Sequence, residues 1–407
     1  MAGAQRLSQR QLDAVLTLHE RLVGGRPGGK RACLRFHDLS RLDLGGRNLS
    51  DVDFAGSLFH GACLARSDLS RANLFGCDFT GADLGGAILN RADLRGCRMH
   101  GANLSMADLR QADFRPGQIT IEARPGLMKG GSETRHSALD RANLSGATLD
   151  GSQLTGSSAF AADFSDCSMR GAELSGANLK QANLSGAIME GVNLRGANLE
   201  GANLDRAMLG GVDTSTTQLS RDARAKLALA SADQEPDKAK ILIERAHAHH
   251  AWCTSGGVSG AAAIFDGEDL RALAGHFAGA KLTAASFRNA CLVGVDLSRA
   301  DLQGANFEGA DLRSIDLKKA DLRGARLAGA NLTAADLRGA KLGPLNLPSG
   351  RLARVSLLGA KLRYALVAEA DFSGAVFAQA DLHGTDFAKA VGVDLADTPR
   401  PPDDRAA

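Results

Sequence analysis

Aromatic side chains are scarce in this chain: one Trp, one Tyr and 15 Phe make up 4% of its 407 residues. Large rings usually knit a broad globular core together, so a narrow core of Leu and Ala is expected instead. A surface that stacks nucleic-acid bases is nearly excluded for the same reason. Polar residues interrupt every apolar run well short of a membrane-crossing helix, so no membrane insertion is expected. The first residues, Met1 to Arg6, lack the apolar centre of a secretory leader. Seven cysteines show neither a CxxC pair nor metal-ligand spacing. Cys77 and Cys97 read as small buried thiols in place of Ala rather than as a disulfide. A soluble, reducing, cytoplasmic setting follows. The net charge of +2 gives no overall bias toward nucleic acid. Phosphate loops, Gly-x-Ser-x-Gly elbows and HExxH helices are missing, so no catalytic residue and no cofactor are assigned. His247 and His250 could face one metal ion, but no acidic or cysteine partner is placed beside them, and no metal site is assigned.

What the chain has instead is a five-residue period. Ala177-Asn178-Leu179-Lys180-Gln181, Ala182-Asn183-Leu184-Ser185-Gly186 and Ala187-Ile188-Met189-Glu190-Gly191 repeat one unit, Ala-(Asp/Asn)-Leu-x-(Gly/x), with Ile188 and Met189 as variants, and 48 glycines serve a chain that turns this often. A helix advances about 100° per residue, so Leu179, Leu184, Met189 and Leu194 would scatter around it and leave no stripe to bury. A continuous strand would send alternate leucines to opposite faces. The pattern closes if each pentapeptide is one short extended side followed by a corner. Leu and the small residue two before it then point inward, and the Asp or Asn between them points out. Four such sides return the chain to its start, and stacked coils pair their backbones at about 4.8 Å.

On these residues the chain resembles the pentapeptide-repeat proteins. The resemblance implies an all-β solenoid, a right-handed quadrilateral β-helix, and a bacterial source. The register divides the chain into two tandem blocks: a helical N-terminal cap at 1–36, a first β-helix at 37–212 with a loop insertion at 115–138, a helical linker at 213–262, a second β-helix at 263–392 and a disordered tail at 393–407. The cap rests on a capping box, Ser8-x-x-Gln11, and an apolar face of Leu12, Val15, Leu16, Leu22 and Val23. Helices are expected over 222–230 and from Pro236 to Trp252. Sliding the chain along itself aligns His19 with His250, Gly29 with Gly260 and Ala32 with Ala263, so the linker reads as a second cap. In the last block every fifth residue from Phe277 to Phe387 is expected inside, with Phe287 on Phe307 and a bulge or loosened coil at 343–358.

Function is sought where the period breaks and on the outward positions. Irregular loops on regular solenoids often carry binding, which makes Arg115, Arg124, Lys129 and Arg135 the candidate partner contacts. Some relatives of this type are acidic rods that mimic DNA, bind type II topoisomerases such as gyrase and give quinolone protection. That activity needs a coherent negative stripe. Asp53, Asp93 and Asp113 stack on one side with Asn73, but Arg66, Arg71, Arg91, Arg95 and Arg98 dilute them, and residues 277–390 carry 15 basic against 11 acidic side chains. The expectation is a non-enzymatic scaffold for an unknown protein partner, self-association included, with the topoisomerase-binding DNA mimic as the alternative.

Overall fold

The computed structural model describes residues 4–121, 131–220, 236–273 and 276–395. The helix expected over 222–230, the tail beyond 395, and Arg124 and Lys129 lie outside those residues.

Each pentapeptide is a single corner and a single short side. Ala187 N–H donates to the Leu184 carbonyl at 3.0 Å, closing a turn whose third residue, Gly186, has φ 69°. A type II turn demands a positive φ there, which Gly adopts freely. Gln181 accepts the same conformation at φ 59°. The Asp or Asn side chain seals the turn: Asp83 Oδ1 accepts from Gly85 N–H at 3.0 Å, and Asn183 Oδ1 from Ser185 N–H at 3.2 Å. Parallel bridges join each side to its counterpart one coil on, such as Asp53 to Asn73 and Asn183 to Asn203. Each backbone group of a side is thus satisfied by the coils on either side of it.

The chain forms two compact units, Met1–Asp233 and Gln234–Ala407, each with its own core. In the first, leucines such as Leu104, Leu144 and Leu184 are fully buried. The ladder begins at Cys33, which bridges Asp53, so the first coil starts inside the segment expected to belong to the cap. Leu34 and Leu39 are buried in that coil; they keep the period, but Arg35 and Phe36 interrupt its Ala/Gly signature.

Helix α1, Gln9–Val23, closes this end, with both halves of the Ser8–Gln11 capping box formed. It replaces the missing preceding coil. The Gln9 amide donates to Asp43 O at 2.8 Å and accepts from Asp43 N–H at 2.9 Å, as a strand would. Strand β1, Gln5–Arg6, pairs in parallel with β2, His37–Asp38. An open edge is covered in this way.

The insertion is a β-hairpin, not an irregular loop. Strand β3, Gly117–Ile121, pairs antiparallel with β4, Gly131–Arg135. The bridges pass over it, joining Arg98 to Ala138 and Asp113 to Gln153, so the solenoid resumes in phase.

In the second unit, helix α2, Pro236–Thr254, packs Leu242 and Ala246 into the core. A 3-10 turn at Arg271–Leu273 widens the first coil, where Ile264 bridges Ser286. Phe265, Phe287 and Phe307 stack along the axis, with centroids 5.2 and 4.8 Å apart. The irregular stretch at 343–358 holds a second hairpin: β5, Leu345–Asn346, pairs with β6, Leu352–Ala353. The five-residue count would bury Leu347 and Leu352, yet they are 38% and 58% exposed. The inserted stretch leaves the wall, and Lys341 bridges Asp371 instead.

Candidate interaction surface

The side of the first unit that carries Asp53, Asn73, Asp93 and Asp113 is a continuous column of bridges. Residues two apart on an extended side share a face, so each aspartate meets the residue after its Leu. At three levels that column is answered by arginine. Arg95 lies 2.7 Å from Asp93 and 3.8 Å from Asp113, Arg115 lies 2.7 Å from Asp113, and Arg35 lies 3.8 Å from Asp53. Asn73 adds a 2.9 Å hydrogen bond to Asp53. Burial alone would raise the Asp113 carboxyl, but the hydrogen bond and charge of Arg115 outweigh it and hold it below the usual carboxylate range. The column is therefore a ladder of ion pairs.

The same pairing recurs in the second unit, at Asp311 with Arg313 (2.6 Å), Asp321 with Arg323 (2.7 Å) and Asp336 with Arg338 (2.7 Å). Lys318 bridges Asp316 and Asp336 at 2.7 and 3.4 Å. In these pairs the aspartates are partly covered and Arg313 is buried, while the other cations reach solvent. Their effect is to flatten the potential of the walls.

The hairpin rises beside the acidic column. Ile119 on β3 lies over Gly76 and Gly96, where a Cβ would meet its Cδ1 at 3.0 and 3.5 Å, and Phe75 backs Gly117. The Arg95 guanidinium sits 5.5 Å from the centre of the Phe75 ring. At the other foot, His136 Nδ1 lies 2.8 Å from Gly156 O, and Ser137 is buried, its hydroxyl donating to Leu94 O at 3.1 Å. The hairpin base is thus held on both sides by the wall.

Of the candidate loop contacts, Arg115 is occupied by its own Asp113. Arg135 is different. It is half-buried at the end of β4, and its Nε has no hydrogen-bond partner among the described residues. Burial and then the nearby Arg98 push its pKa down, against the pull of Glu133 and Asp78. The anchors Phe75, Ile119 and His136 escaped the sequence reading; the β-branched run Ile119-Thr120-Ile121 was the available signal.

One pair imitates a catalytic dyad: Cys253 Sγ lies 3.3 Å from His249 Nε2 on α2. His249 Nδ1, however, accepts the Ala263 N–H at 2.8 Å. The neutral ring therefore carries its proton on Nε2 and has no lone pair to take one from the thiol. Burial also pushes the Cys253 thiol up, away from the thiolate. Among the described residues no group of His, Cys, Asp and Glu could hold a metal ion. No helix there is long and apolar enough to cross a membrane.

Eight copies of the family model for pentapeptide repeats match this chain, over residues 38–74, 77–115, 137–176, 172–211, 280–318, 310–343 and 356–391. The chain belongs to the pentapeptide-repeat family. The gaps between matches include both hairpins and α2. Among solved structures, this pentapeptide-repeat protein is similar to HetL, a protein involved in heterocyst differentiation regulation from the cyanobacterium Nostoc sp. strain PCC 7120. That match has 21% identity and a TM-score of 0.24, and covers 82% of this chain and 96% of HetL. It is also similar to QnrB1, a plasmid-mediated fluoroquinolone resistance protein, in a trypsin-treated variant form: 21% identity, TM-score 0.27, 48% of this chain and 86% of that one. A thylakoid-lumen pentapeptide-repeat protein from Arabidopsis thaliana matches at 25% identity and a TM-score of 0.18, over 34% of this chain and 72% of its own. No curated protein sequence matches.

Proposed function

We propose that this pentapeptide-repeat protein is a non-catalytic scaffold: two right-handed quadrilateral β-helices in tandem, each with its own helical cap, presenting flat walls and one hairpin to a protein partner. The observation that carries this reading is the anchored hairpin. Its base is fixed by Ile119, Phe75 and His136, which hold it against the wall beside the acidic column. The DNA-mimic reading is the weaker one, because arginines answer the aspartates of the acidic column.

Residues 116–135 can be excised without changing the phase, since Phe114-Arg115 would then run into His136-Ser137 and Leu139 would follow Phe114 by five. The excised protein should melt as the full chain does and lose its partner in affinity purification from the native host. An unchanged partner set would reject the hairpin as the contact. Inhibition or protection of gyrase supercoiling at micromolar protein would restore the DNA-mimic reading.

A further inference from the structure

The two cap helices are docked by the same device. His19 on α1 is 1% exposed and uses both ring nitrogens: Nδ1 accepts the Ala32 N–H at 3.1 Å, and Nε2 faces Ser50 O at 3.0 Å. His249 on α2 is fully buried; its Nδ1 accepts the Ala263 N–H at 2.8 Å, and the Thr283 backbone takes the place of Ser50. Within the helices Leu12 is equivalent to Leu242, Leu16 to Ala246 and His19 to His249. Past the helices Gly29 is equivalent to Gly260 and Ala32 to Ala263, an offset larger by one. One extra residue therefore separates helix from coil in the second unit, which corrects the sequence alignment of His19 with His250. Gly29 and Gly260 press against their helices so closely that a Cβ would overlap Leu22 and the Ala248 carbonyl.

We infer that His19 and His249 are equivalent proton-sensitive latches, each holding its cap helix on the first coil only while the imidazole is neutral. The donor at Nδ1 is a backbone N–H and cannot reverse. A proton added there would set two donors against each other in a buried site. Around His19, Glu20 on α1 and Asp51 on the wall favour the proton, and Arg31 on the connecting segment opposes it. Around His249, the neighbouring His250 opposes it and Cys253 is a neutral thiol. Burial dominates both, and holds both imidazoles below their ordinary value of 6.5. A group depressed in the docked state binds more protons when undocked, so docking is at full strength above about pH 6.5 and weakens as pH falls. At pH 5.5 each docking constant should have dropped, by at most about tenfold. Release would bare the first-coil edge at Cys33 and Asp38 in one unit and at Ile264 in the other, a template for strand pairing.

Amide hydrogen exchange of the full chain at pH 7.5 and 5.5, corrected for intrinsic rates, tests this. Protection at Ala32 and Ala263 should fall, by up to about tenfold, while Leu184 and Leu317, deep in the two solenoids, hold theirs. In the double variant His19→Gln, His249→Gln, whose amides offer an acceptor and a donor but do not titrate, the fall should vanish. Equal protection at both pH values in the wild type would overturn the inference. So would a variant that keeps the wild-type slope. Should the variant caps fail to dock, an imidazole NMR titration of the wild type decides: titration of His19 and His249 at or above 6.5 rejects the latch.

Discussion

Replacing Phe287 with Ala should cut deep into the second unit and into nothing local to the chain ends. The ring is fully buried between Phe265, at 5.2 Å and an interplanar angle of 11°, and Phe307, at 4.8 Å and 3°. Truncating a core Phe costs about 3–5 kcal/mol, the upper end where the surroundings do not relax. Here they are pinned: Phe265 N–H donates to Ser286 O and Phe287 N–H to Asn306 O, both at 2.7 Å, so the coils cannot close over the void. Two stacks, each worth roughly 0.5–1.5 kcal/mol, are lost together. We expect a loss of about 5 kcal/mol for Phe287→Ala and about half that for Phe287→Leu, which fills much of the volume without the stacks. Trp252, the only Trp, sits on α2 in this unit, so its fluorescence during urea unfolding follows the unit selectively. A loss below about 1.5 kcal/mol for the Ala variant would mean that coil spacing is not held by the backbone ladder, and would refute the reasoning.

Gly29→Ala and Gly260→Ala should each undock a cap helix, seen as faster proteolysis within α1 or α2, whereas Gly46→Ala, at φ 65° with open space around its Cβ, should cost only about 1 kcal/mol. Equal effects at all three would show that close helix approach is not what these glycines serve. Native Cys77, Cys97 and Cys167 should resist thiol reagents at pH 8, because burial pushes Cys77 up to about 12 and the other two well above their ordinary value, while exposed Cys33 reacts. Modification of Cys77 at the rate of Cys33 in folded protein would contradict the buried column.

The solenoid was legible because one physical constraint, an inward residue at every fifth position, repeats until no helix or continuous strand can satisfy it. The in-register survival of Leu139 after the gap was legible for the same reason. The hairpins were not: the count alone cannot tell a side that stays in the wall from one that leaves it, and it wrongly kept Leu347 and Leu352 inside. The histidine docking escaped because a single added residue between helix and coil shifts the alignment, and only the shared Ala32 and Ala263 hydrogen bonds reveal it. Pairing of Asp93 with Arg95 followed from the pleat and could be read in advance; the unpartnered nitrogen of Arg135 could not.

The parallel bridges turn each wall into a lattice with two unrelated directions. A step across is one pentapeptide along the chain; a step up is four of them. A partner covering a patch about 10 Å wide therefore touches three coils, and reads as neighbours residues that lie far apart in sequence, as Asp53 and Asp93 do. No short peptide from this chain can reproduce such an epitope. Length changes acquire a geometry as well. Losing one pentapeptide turns everything beyond by a quarter revolution and presents a different wall, while losing four lowers the stack by one storey and leaves every wall facing where it did.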